Sequence, residues 1–238
     1  MTSYRFGFAG LLVLSLFMVG NASFGQILFS ENFEGLTLGP FQNENLSAIP
    51  SLDNTKVWTK TPPAGWTLDD SFMPADGVRD WRGWSFANAQ AWAYVAGDQR
   101  RSEFTNAKGV AAIADSDEWD DLAHDAGSWE AYMSTPAIAV TDLPADSLTM
   151  TFDSSWRPEG GQEVNIMASF DGGDPVEVLY WNSIDGDPDF HPDTSTNEFV
   201  TIAIPNPAGA KSMVLTFGYM NGNNNWFWHN NWFRYNDR

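Results

Sequence analysis

The sequence predicts an all-β fold: a two-sheet antiparallel jelly-roll sandwich, of concanavalin or galactose-binding type, with long loops. Three observations carry this expectation. Apolar residues recur at a period of two in Leu148, Met150 and Phe152, in Val164, Ile166, Ala168 and Phe170, and in Met213, Leu215, Phe217 and Tyr219. That spacing turns one strand face to a core and the other to water. Turn chemistry separates these runs at Pro158-Glu159-Gly160-Gly161, Asp171-Gly172-Gly173-Asp174-Pro175, Asp185-Gly186-Asp187-Pro188 and Pro205 to Gly209. Finally, no amphipathic pattern runs beyond about three helical turns.

Taken in chain order, β-branched and aromatic residues mark further strands over 27–33, 91–95, 110–114, 133–138, 176–181 and 199–204. Two segments, 39–63 and 71–80, are polar and contain proline, and are expected as long ordered loops at one end of the sandwich. Neither an internal repeat nor a break in composition divides the chain. A single domain over 26–238 is expected.

Residues 1–25 read as an export signal. Arg5 gives a positive start, Phe6 to Gly20 is an apolar run too short for an ordinary bilayer span, and small residues stand at Ser23 and Gly25 before a cleavage point ahead of Gln26. The expected location is therefore extracellular or periplasmic, with no membrane span after cleavage.

Composition excludes several function classes. The 238 residues carry 31 acidic and 12 basic side chains, a formal charge of −19, which repels a phosphate backbone and argues against a nucleic-acid partner. No cysteine is present, so disulfides, thiol catalysis and cysteine-ligated metals are out. His124, His191 and His229 stand 67 and 38 residues apart, without the local aspartate and asparagine context of a binuclear metallophosphatase. A serine-hydrolase elbow is missing. The acids provide many carboxylate pairs, so a glycan-cleaving enzyme stays open as an alternative.

Several motifs in order resemble a known arrangement: FSENFEGL, GWTLDDS, WSFAN, AGDQRRSEF, AIADSDEWDD, YMSTPAIAV, LTMTFDSSWRPEGGQEVNIMASFDGG and a closing NNNWFW. Their order is similar to the cleaved-adhesin and MAM-like jelly-roll domains of secreted bacterial proteins, closest to a planctomycete-type group sometimes labelled purple acid phosphatase-like. The resemblance implies a calcium-supported sandwich without established catalytic residues, serving adhesion or carbohydrate contact. It implies calcium ligands at Glu34, Asp69 and Asp115, with Asp117 and Asn231 behind them. Asn231 replaces an aspartate of the family pattern and offers only a neutral carbonyl.

The residues alone leave alternatives. The acids after 114 form either a calcium site or a solvated loop, and the cluster Asp185, Asp187, Asp189 and Asp193 reads as an exposed turn because it lacks the closing glutamate of an EF-hand. Twelve tryptophans are either core filling or stacking surfaces for sugars; Trp81, Trp84 and Trp119, in loops interleaved with charge, are the candidates for exposed stacking. Arg100 and Arg101 form either an anion clamp or structural ion pairs. The expected function is a noncatalytic secreted module touching glycans or a cell-surface protein; the alternative is a secreted hydrolase, glycan-cleaving or phosphatase-like.

Overall fold

A computed structural model describes residues 26–45, 51–158, 160–194 and 196–222. Its strands are β1 (Trp58–Thr59), β2 (Thr67–Asp69), β3 (Ser85–Asn88), β4 (Val110–Ile113), β5 (Trp129–Ser134), β6 (Ile138–Ala139), β7 (Leu148–Ser154), β8 (Glu163–Phe170), β9 (Val176–Asn182), β10 (Glu198–Ile204) and β11 (Ser212–Gly222). All named pairings are antiparallel. One layer is a six-stranded sheet in the order β2-β5-β11-β8-β9, with β6 pairing the start of β11. The other layer is in two pieces, β1-β3-β4 and β10-β7. The fold class is the all-β sandwich that the alternation implies.

The inner faces follow the period of two. Leu148, Met150 and Phe152 are buried while Thr149 is exposed; Val164, Ile166 and Ala168 are buried, as are Met213, Leu215, Phe217 and Tyr219. On β10, Val200, Ile202 and Ile204 stand opposite Phe152, Met150 and Leu148, so this two-stranded sheet presents one apolar face. Across the layers Trp66 stacks on Phe217 at 6.3 Å, Phe33 packs against both Trp66 and Phe86, and Trp84 Nε1 donates to Ala131 O.

Three strand assignments are corrected. Segment 91–95 lies in helix α1 (Ala89–Val95), because Asn88 accepts from the Gln90 and Ala91 amides as an N-cap and the following alanines favour the helix. Segment 27–33 forms no strand; Phe33 has φ 62° and its amide bonds the Glu31 side chain, which turns the chain inward. The run over 133–138 breaks in two, since β5 ends at Ser134 and Pro136 cannot donate to the ladder before β6. A second helix, α2 (Ser116–Asp120), stands where the acids suggested a loop; Asp115 caps it by accepting from Glu118 N. Among the described residues no helix is long and apolar enough to cross a membrane.

The packing gives a direct test. Phe152→Ala should cost about 3–5 kcal/mol in urea unfolding, and Thr149→Ala should stay within about 0.5 kcal/mol of the parent. A loss below about 1 kcal/mol for Phe152→Ala would mean that β7 does not face the core.

Candidate functional site

The expected stacking surface does not form, because its three indoles are buried. Trp81, Trp84 and Trp119 are 0%, 1% and 0% exposed. Trp81 Nε1 donates to Glu44 Oε1 and Trp119 Nε1 to Asp76 O. The Trp119 ring is covered by His124, 4.0 Å away and near parallel, and lies so close to Gly77, at φ +87°, that a Cβ there would overlap it. The neighbouring charges are equally committed. Asp80 accepts from the amides of Gln42, Asn43 and Glu44, and Arg82 Nη1 pairs with Asp70 at 2.9 Å while its other nitrogens reach carbonyls of Asp70, Met73 and Pro74. These loops are built inward, so their indoles offer no ring face to a ligand.

Of the expected calcium ligands, Glu34 and Asp69 take partners of their own, and Asp115 and Asp117 share Arg101. Glu34 Oε1 accepts from Val110 N, and Asp69 accepts from Ser71 N at an exposed strand end. Asp115 is fully buried. It receives Trp92 Nε1 at 3.0 Å and Arg101 Nη2 at 3.1 Å. Arg101 Nη2 also lies 3.3 Å from Asp117 and 2.8 Å from Glu118, and Nη1 bonds Gln99 and Ala96 O. Among the described residues no group of three or more carboxylates and histidines is placed to hold a metal ion. The five-residue calcium set therefore does not assemble from the described members; Asn231 lies outside the described residues.

A guanidinium thus occupies the centre of this acid cluster, and one positive charge meets several negative ones. Burial raises Asp115, opposed first by Arg101. Burial and then the charge of Asp115 push Asp117 up to about 7 and Glu118 up to about 9. Glu44, lifted mainly by burial, reaches about 7. The other arginine of the pair, Arg100, bonds Glu103 in a two-point surface pair. His124 bonds Asp120, and His191 stacks on Trp181 at 3.8 Å and bonds Glu198; His229 lies outside the described residues.

A different surface gathers binding chemistry: the outer face of the six-stranded sheet. Register places Asp69, Tyr132, Gly218, Asn165 and Tyr180 side by side across β2, β5, β11, β8 and β9. Tyr132 and Tyr180 stand three strand spacings apart, about 14 Å. Phe72, 60% exposed, meets Tyr132 edge-on at 5.8 Å and prolongs the aromatic row. Tyr132 Oη donates to Glu130 Oε1 at 2.8 Å, and Tyr180 bonds Glu163, which also accepts from Asn221 Nδ2. Burial first, then these carboxylates, raise both phenols; Tyr180 reaches about 12, so both rings stay neutral donors. Gly218 makes the row possible, because a Cβ there would overlap Asn165 Oδ1 and come within 2.8 Å of Tyr132 Cε1. Asn165 Oδ1 is buried without a hydrogen-bond partner among the described residues.

These residues are less conspicuous in the sequence than the tryptophans of the charged loops. The signal lay in the strands: Tyr132 alternates with the buried Trp129, Ala131 and Met133, and a glycine in the middle of β11 marks a close approach. By contrast, a cavity of about 480 Å³ near Leu148, Met150, Met213 and Leu215 is lined mostly by aliphatic side chains of the two layers, without convergent aromatic faces.

No protein-family model and no curated protein sequence matches the chain. Among solved structures, the carbohydrate-binding module TmCBM61, in complex with β-1,4-galactotriose, is similar at 13% identity and a TM-score of 0.34. The alignment covers 66% of this chain and 85% of that one. A likeness at that score assigns nothing beyond the fold already described.

The acid cluster fixes the sign of a pH dependence. Carboxyls held above their unfolded values bind more protons in the native state, so their stabilising contribution is complete below about pH 4 and is lost as pH rises through 7 to 9. Melting should therefore occur about 4 °C or more lower at pH 8.5 than at pH 5.5, and Glu118→Gln should shrink that difference. Arg101→Met, which leaves the carboxylates facing one another, should cost about 3–5 kcal/mol at pH 7. Melting that is flat or rises between pH 5.5 and 8.5 would contradict the cluster as described.

Proposed function

We propose that this chain is an exported, noncatalytic β-sandwich module that contacts glycans through the outer face of its six-stranded sheet. The row Tyr132, Gly218, Asn165 and Tyr180, prolonged by Phe72, carries this reading. A pyranose presents a C–H face and a rim of hydroxyls. Aromatic rings supply area for the first, and carboxylates and amides fixed around them give direction to the second. Here the rings and the polar groups lie on one rigid face, with the tyrosine hydroxyls already fastened to Glu130 and Glu163. An adhesive role would follow from the same contacts if the glycan belongs to a cell surface.

The test is a glycan array probed with the full chain and with single variants. Tyr132→Ala and Tyr180→Ala should each weaken binding by roughly tenfold, about 1.4 kcal/mol for a lost stacking contact, with unfolding curves close to the parent. Arrays that stay blank with the folded parent, or binding that survives both substitutions, would remove the platform. Incubating bound oligosaccharides and assaying for new reducing ends separates the module from the glycan-cleaving alternative.

A further inference from the structure

Resting on the glycan-contacting reading, we infer that the platform selects neutral glycans and rejects acidic ones, those bearing uronate, sialate or sulfate groups. Strands β2, β5, β8, β9 and β11 contain no lysine or arginine. Their four acids, Asp69, Glu130, Glu163 and Glu177, all stand in outward register. Asp69 is level with Tyr132, Glu163 with Met220, and Glu177 with Met167; Glu130 is one residue from the inward Trp129 and Ala131.

The hydrogen-bonding capacity beside the rings is therefore mainly that of acceptors. An ionised carboxylate accepts and cannot donate. Glu130 takes one bond from Tyr132, and Glu163 takes bonds from Asn221 and Tyr180, which leaves lone pairs on both for a ligand donor. Asn165 adds an acceptor without a partner among the described residues; its Oδ1 is buried against Gly218, so the amide must turn outward to meet a ligand donor such as a sugar hydroxyl. A uronate or sulfate would instead set its charge against the four acids, with no cation on these strands to meet it, and like-charge juxtaposition at an interface costs several-fold to many-fold in affinity.

With Gly218 between them, Tyr132 and Asn165 approach closely enough that the ring edge and the amide share one seat. A Cβ would push them apart, so Gly218→Ala alters the seat without touching charge.

The decisive experiment is calorimetric titration of the full chain with two matched pairs: galactotriose against trigalacturonate, and cellotriose against its C6-oxidised uronate. An array carrying neutral, uronate-containing, sialylated and sulfated glycans runs in parallel. The expected result is a preference of roughly tenfold or more for the neutral member at low salt, narrowing as added salt screens the acids. Replacing Asp69, Glu130 and Glu163 together by Asn, Gln and Gln should close most of the gap by strengthening the uronate arm. Gly218→Ala should weaken neutral binding while leaving the salt dependence unchanged. Equal or tighter binding of the acidic members would overturn the selectivity and leave the platform standing. Absence of binding to every array member by the folded chain would overturn the platform itself and the selectivity with it.

Discussion

One guanidinium in a nest of carboxylates organises the loop side of the sandwich. Arg101 is buried to 2% of its surface and joins the end of α1 through Ala96 O, the start of α2 through Asp115 and Glu118, and the face of Trp92, 5.6 Å from its carbon. The chain reaches that position at a backbone cost. Gly97, Asp98, Gln99 and Arg100 are consecutive and all left-handed, with φ of 61°, 64°, 43° and 73°. Only glycine adopts this region freely, and L-residues there cost on the order of 1–2 kcal/mol each. The turn places Arg101 as the one basic side chain within 4 Å of Asp115, Asp117 or Glu118 among the described residues.

Tryptophan serves the same need in a different way. The loops over 51–84 and 114–129 must stay ordered without disulfides, and indoles act as struts: an apolar plate with one donor at its edge. Trp58 donates to Asp80 O, Trp119 to Asp76 O, Trp129 to Trp81 O, and Trp156 to His191 O. Each of these bonds pins a loop carbonyl that would otherwise need water. This is why indoles flanked by charge in the sequence lie inside the structure. Charge beside them caps and braces the loops, as Asp80 does with three successive amides, and does not mark a wet surface.

What was legible in the sequence followed from period and register. Alternation located β7, β8 and β11 and named their buried faces, since a strand slipped by one residue would turn Leu148, Met150 and Phe152 to water, while β-branched and aromatic content alone located β10. What escaped were features fixed by contacts distant in sequence. The helix at Ala89 was masked by Trp92 and Tyr94, whose β propensity outweighed the Asn88 cap in a local reading. The role of Arg101 needed the fold, because its partners lie 14 to 17 residues away and nothing in the spacing separates a ligand carboxylate from an ion-pair partner. The outer row across five strands was invisible for the same reason: Asp69 and Tyr180 become level only after three intervening strands have paired.

The two halves of the molecule divide the work. The split layer and its loops hold the strained turn, the buried acids and most of the described indoles, and their side chains are already engaged with one another. The six-stranded sheet is continuous apart from register shifts in β8/β9 and β11/β5, with its outer residues held in place by the ladder beneath. A site placed there inherits rigidity from strands that must pair for the core to exist, so its side chains need little ordering when a ligand arrives. The acids among those rings then do two things at once. They fasten the tyrosine hydroxyls in place, and, on the proposed glycan-contacting function, they would also set which ligands the face tolerates, so that the negative charge of the chain would act as a filter on its partners.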